Sequence, residues 1–130
     1  MILLCDEDVG TKAPRALAMV GYPVYALYDC GLNATPDVDW LTIAGRCGLL
    51  VFSRNKRMLR VQHERQTIVD EQVGIVFLTS EEETPARMLK LLVNMWDKLE
   101  FLDDHEPRPF ARLLSPNGRL SNKYRNFHGF

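Results

Sequence analysis

Three consecutive carboxylates, Asp6-Glu7-Asp8, follow directly on the apolar run Met1-Ile2-Leu3-Leu4-Cys5. Carboxylates crowded into a cleft repel one another and hold protons they would release in water. A divalent cation relieves that repulsion, and hard cations such as Mg²⁺ take carboxylate oxygens. One chemistry open to the triplet is therefore a metal site. A short apolar run ending in turn residues reads as a buried strand, and open α/β sheets bind ligands at such carboxyl tips. Alternation along an extended segment sends Asp6 and Asp8 to one side and Glu7 to the other. The same triplet also suits a solvated turn, with Asp8 as N-cap ahead of Gly10 and Thr11.

The elements around it follow from periodicity and punctuation. Residues 11–20 carry apolar positions at helical spacing, stopped by Gly21. Tyr22 to Tyr28 is β-rich, and a polar loop follows to Thr35. Thr35 and Pro36 read as the N-cap and first residue of a helix that places Asp37 and Asp39 in its first turn. Acids there also suit the helix dipole without any metal. Leu49 to Ser53 reads as a central strand ending in Arg54-Asn55-Lys56-Arg57, and residues 58–71 as a weaker helix or a turn-helix-turn. Gly74 to Leu78 is a third buried strand. Thr84-Pro85 opens the longest helix, whose stripe of Met88, Leu91, Leu92, Met95, Trp96, Leu99 and Leu102 marks a core face. Asn117-Gly118 between extended runs signals a hairpin of residues 109–114 and 119–124. Alternating strands and helices with apolar central strands predict an α/β fold, a mainly parallel sheet flanked by helices.

A chain of 130 residues is long enough for one self-sufficient core. We divide it into an α/β core, 1–104, and a basic hairpin and tail, 105–130. The formal net charge of −1 argues against a general polyanion binder, which is usually strongly basic. Charge is nevertheless local. Arg108, Arg112, Arg119, Lys123 and Arg125 follow one another with Tyr124, Phe127 and His128 interleaved. They suit an RNA-facing arm, or a hairpin whose basic face balances the acidic long helix. His63 and His105 read as surface residues. Three cysteines, Cys5, Cys30 and Cys47, read as reduced core thiols. No run reaches the ~20 apolar residues of a membrane helix, and no signal-peptide n-region opens the chain, so the expected compartment is the cytoplasm.

Three local patterns carry a family resemblance. They are Cys-Asp-Glu-Asp-Val at the first strand tip, Leu-Asn-Ala-Thr-Pro-Asp-Val-Asp-Trp-Leu at a helix start, and Leu-Val-Phe-Ser-Arg-Asn-Lys-Arg-Met at the central strand tip. In this order the sequence resembles the PIN-like domains, and within them the small group that includes toxins of the VapC type. The long Trp-bearing helix, Pro-Phe and hairpin are similar to the C-terminal half of that group. The resemblance implies a three-layer fold and a Mg²⁺- or Mn²⁺-dependent endoribonuclease, held silent by a cognate antitoxin protein. It implies Asp6 and Asp37 as metal ligands, with Asp8 and Asp39 as outer or water-mediated ones. Asn55 stands where the family places a further acid and completes the catalytic set of Asp6, Asp37 and Asn55. A neutral Asn still offers a carbonyl oxygen but removes one negative charge. Arg54, Lys56 and Arg57, with Arg112 and Arg119 on the hairpin, are the expected RNA contacts, and a homodimer is compatible with the family.

Two other readings compete. A PIN-like module that binds RNA or protein without cutting would account for Asn55. A phosphorelay receiver would need a phosphoacceptor Asp at the central strand tip, and Ser53-Arg54-Asn55 offers none.

Overall fold

Four residues of the sheet register show why the strands form where they do. Leu3, Leu50, Gly74 and Phe110 pair in one row across four parallel strands. A Cβ on Gly74 would lie 2.7 Å from carbons of the Phe110 ring. Glycine is thus what allows the ring to lie against its neighbour strand.

The computed structural model describes residues 1–80 and 82–121. In chain order it runs β1 (Leu3–Cys5), α1 (Lys12–Met19), β2 (Val24–Ala26), α2 (Asp37–Arg46), β3 (Leu50–Ser53), α3 (Gln62–Asp70), β4 (Gly74–Leu78), α4 (Pro85–His105), β5 (Phe110–Leu114) and β6 (Leu120–Ser121). Short 3₁₀ turns at Glu7–Val9, Tyr28–Cys30 and Lys56–Leu59 follow the first three strands. The sheet order is β2-β1-β3-β4-β5-β6. All pairs are parallel except β5 with β6, which form the antiparallel hairpin.

Side chains alternate between the sheet faces, which gives two separate cores. Leu3, Cys5, Leu50, Phe52, Val76 and Leu78 pack with Leu17 of α1 and the apolar stripe of α4. Leu4, Val51, Ile75, Phe77 and Ala111 pack with Trp40, Leu41 and Ala44 of α2 and Ile68 of α3. The result is the three-layer, mainly parallel α/β fold that the periodicity predicts. Fully buried Phe52 and Phe77 each contribute on the order of 2 kcal/mol from burial alone. The first strand of the hairpin is an inner strand of the sheet, hydrogen-bonded to β4.

Several local expectations need correction. The helix after the polar loop begins at Asp37, with Pro36 at the N-cap and no side-chain cap bond. Thr35 lies one residue too early, its N–H engaged by the Leu32 carbonyl. By contrast, Thr84 caps α4 as expected, accepting from the Arg87 N–H. Cys5 is the core thiol, whereas Cys30 and Cys47 are exposed, and all three are free. Lys123, Tyr124, Arg125, Phe127 and His128 lie outside the described residues.

At the amino ends of β3 and β5, Arg108 ties distant segments together. Its guanidinium donates to the Leu49 carbonyl at 2.8 Å and to Asp103 at 2.6 Å. Both side chains of the pair are largely shielded from solvent, so removing one partner strands the other. Arg108→Ala should cost about 2 kcal/mol of unfolding free energy, measured by chemical denaturation, whereas a change within about 0.5 kcal/mol would assign the clamp no role.

Candidate active site: an acidic cleft at the sheet reversal

The chain first steps from β1 to β2 on one side, then crosses back to β3 on the other. Where strand order reverses, the loops leaving the carboxyl ends diverge and open a crevice. That reversal lies between β1, which Asp6 follows directly, and β3, which ends in Ser53. A cleft of about 840 Å³ opens there, lined by Asp6, Glu7, Asp8, Asp37, Arg54, Asn55, Lys56, Arg57 and Arg60.

Asp6 is the innermost acid, 6 % exposed. One carboxylate oxygen accepts the Glu7 N–H at 2.7 Å and the other the Ser53 hydroxyl at 2.8 Å. The Ser53 oxygen in turn accepts the Asn55 N–H at 2.9 Å. A fully buried hydroxyl thus links the first strand tip to the basic loop of the third. Burial, and next the charge of Asp8, push the Asp6 carboxyl up to about 7, with a smaller push from Asp37; the Ser53 and Glu7 hydrogen bonds act in the opposite sense. The Asp8 carboxyl is raised as well, first by loss of hydration, although the N–H and guanidinium of Arg54 favour its charged form.

The 3₁₀ turn at Glu7–Val9 replaces the extended geometry expected for the triplet. Asp6 caps that turn, all three acids line the cleft, and the next helix has Thr11 at its N-cap with no side-chain bond, not the expected Asp8. Asp8 accepts the Arg54 N–H at 3.1 Å. Glu7 accepts the Ala34 N–H from the loop before α2.

Asp37 reaches the cleft because α2, after the crossover, begins at the same sheet edge. Its carboxylate also accepts the Trp40 indole N–H at 2.9 Å. Asp39, two residues on, is exposed and is not part of the cleft lining. Glu64, in the first turn of α3, is an acid that the sequence reasoning missed. Its carboxyl is pushed up to about 7, first by burial and then by its interaction with the neighbouring Asp37 carboxyl and the charge of Asp6, against the pull of Arg57. The signal was present in the sequence, because the first turn of a helix leaving a sheet tip returns to that edge, as it does at Asp37.

The basic side of the cleft comes from the turn at Lys56–Leu59. Arg54 donates from Nε to the Ser80 carbonyl at 3.3 Å and from a terminal nitrogen to the Asp8 carbonyl at 3.4 Å. It therefore bridges the tips of β1 and β4. Lys56, Arg57 and Arg60 are exposed on the rim, and Arg60 was not anticipated. Asn55 faces the cleft with Arg57 Nε 3.5 Å from its side-chain oxygen. Arg112 lies elsewhere, with Glu106 at 3.8 Å and the Ser121 carbonyl at 2.6 Å. Arg119 is exposed on the hairpin, its N–H bound to the Ser115 hydroxyl. Neither joins the acidic cleft.

A family model described as a PIN like domain matches residues 1–80. The chain belongs to the PIN-like domain family. The matched span holds β1 to β4, and with them Asp6, Asp37, Asn55 and Glu64, while α4 and the hairpin lie beyond it. Domains of this family are usually nuclease-type modules. No curated protein and no solved structure matches the chain significantly. Among the described residues no helix is long and apolar enough to cross a membrane.

Between pH 4 and 7 the folded state binds protons at Asp6 and Glu64 that the unfolded chain has released. Stability from these groups is therefore fully present below about pH 4 and is lost as pH rises through about 7. In metal-free buffer the melting temperature should fall from pH 5 to pH 8, and Asp6→Asn should flatten that slope. A slope identical in the variant would show that Asp6 is not the strained acid.

Proposed function

We propose that this PIN-like domain is a metal-dependent endoribonuclease whose centre is the acidic cleft. The observation that carries the reading is the joining of two opposite charges in one site. The carboxylates of Asp6, Asp8 and Asp37, from the tip of β1 and the start of α2, meet at the sheet reversal, and four basic side chains line the same cleft.

The donor set fits Mg²⁺ or Mn²⁺ in kind and charge, since Asp6, Asp8 and Asp37 are oxygen donors whose mutual repulsion a cation would relieve. Among the described residues no three such side chains are grouped tightly enough to hold a metal ion as they stand. Ligation by all three therefore requires side-chain rotation. Asp6, Asp8 and Asp37 would hold the ion, with Asn55 offering a neutral carbonyl oxygen. A bound divalent ion supplies an activated water and neutralises charge developing on the phosphodiester.

The remaining work falls to the chain's own side chains. Lys56, Arg57 and Arg60 carry exposed cationic heads suited to successive backbone phosphates. Arg54, braced between β1 and β4, presents a guanidinium beside the acids, where it would orient a phosphate oxygen. Ser53 and the Glu7 N–H, one on each oxygen, hold the Asp6 carboxylate in place beside the cleft. A toxin in a toxin–antitoxin pair would place this open cleft under a protein partner in the cytoplasm. Asn55 favours a second reading, a module that binds RNA without cutting it, because one negative charge is missing.

Purified protein should cleave a mixed RNA pool with Mn²⁺ or Mg²⁺ and not with EDTA. Asp6→Asn should reduce cleavage at least about 100-fold, the scale of losing a group that stabilises the transition state. Retained activity in that variant would remove the centre from this cleft. Asn55→Asp should tighten metal binding and raise the rate. A gain in binding with no cutting by either protein would favour the non-cleaving module.

A further inference from the structure

Asp37 arrives at the cleft from a different element than Asp6, so something must hold the two elements in register. The segment between β2 and α2 makes an unusual local shape. Ala34, a non-glycine residue, sits at φ +58°, a left-handed conformation that L side chains adopt at a cost. The Ala34 N–H is received by the carboxylate of Glu7, across 27 residues of sequence. Three residues later the chain enters α2 at Asp37, and Pro36 contributes no side-chain cap there.

We infer that Glu7 is a positioning residue: its carboxylate clasps the left-handed turn at Ala34 and thereby sets Asp37 against Asp6 and Asp8. Glu7 is exposed and follows Asp6 directly, so its own place is fixed by the 3₁₀ turn that Asp6 caps. The clasp adds a direct polar tie between the β1 tip and the loop before α2, beside the core packing of α2 on the sheet. It also shows why the middle acid of the triplet need not be a ligand. Glu7 spends its carboxylate on a backbone N–H, which keeps the loop in a conformation it would otherwise leave. The consequence for metal binding and cleavage rests on the nuclease reading, whereas the clasp itself does not.

Two readouts separate these. The chain has two tryptophans, and the Trp40 indole N–H donates to Asp37, so its resonance in an ¹⁵N–¹H spectrum reports the first turn of α2. Mn²⁺ affinity, followed by the free-ion electron paramagnetic resonance signal, reports the assembled acids. Glu7→Ala should shift the Trp40 indole resonance and weaken Mn²⁺ binding at least about tenfold, while Glu7→Gln, whose amide oxygen still accepts, should keep the resonance near its original position. Ala34→Gly removes the penalty of the left-handed turn, so adding it to Glu7→Ala should restore part of both signals. An unmoved indole resonance in Glu7→Ala overturns the clasp. So does a Glu7→Gln variant as perturbed as Glu7→Ala, since that would make the charge the working property. Absence of Mn²⁺ binding in the unaltered protein would count against the nuclease reading alone, and the indole resonance would still decide the clasp.

Discussion

The carboxyl edge of this sheet depends on holding one poorly hydrated carboxylate, Asp6, against the charges of its neighbours. Two short hydrogen bonds, from the Ser53 hydroxyl and the Glu7 N–H, keep it in place. Hydrogen bonds to a charged acceptor contribute about 1.5–3 kcal/mol each, so the pair offsets part of the desolvation penalty but not all of it. The remainder appears as a carboxyl that keeps its proton to near neutrality. An acid so placed is poorly suited to a purely structural role and marks a candidate functional site.

Topology turns that local strain into a site. Strand order reverses beside β1, and the helices that follow β2 and β3 both start at the same edge. Asp37 and Glu64 are thus delivered by helix beginnings, and Arg54 to Arg57 by a strand tip. None of the participating segments is long, and each is fixed by something behind it. The buried core residues Phe52 and Leu4 hold the strands, Trp40 holds the first turn of α2, and Met58 and Leu59 anchor the basic turn from beneath.

How much of this could be read from the sequence follows from the range of each interaction. Strands β1, β3 and β4 were legible because a short unbroken apolar run, bounded by turn residues, fits the middle of a covered sheet and little else. Helix α4 was legible because its apolar stripe continues along most of its length. Asp6 stood out because it follows such an element directly, and Asp37 and Asn55 through the family resemblance of the segments that carry them. Glu64 was passed over despite its place in a first turn, because it lies in a helix of weak amphipathic character, where an acid is ordinary. Ser53 was hidden because its hydroxyl matters only once β1 lies beside β3. The misplaced cap at Thr35 has the same origin: the left-handed turn at Ala34, tied to Glu7, spends the residues that a local rule would assign to the helix start. Arg112 looked like part of a basic arm, yet Glu106 and the hairpin backbone occupy it. Local rules found the elements, and the contacts between elements decided the chemistry.

The clamp at Arg108 sits at the amino ends of β3 and β5, opposite the edge that carries the acids. The two ends of the same parallel strands therefore differ in kind, with a shielded ion pair at one and crowded acids at the other. Sequence change at the amino end can be absorbed, or compensated by a replacement clamp, without altering which groups face the cleft. At the carboxyl end, burial and mutual repulsion of the acids work against folding, and the Ser53 and Glu7 hydrogen bonds offset only part of that. Such a division makes the amino edge, away from the acidic cleft, the natural place to engineer robustness.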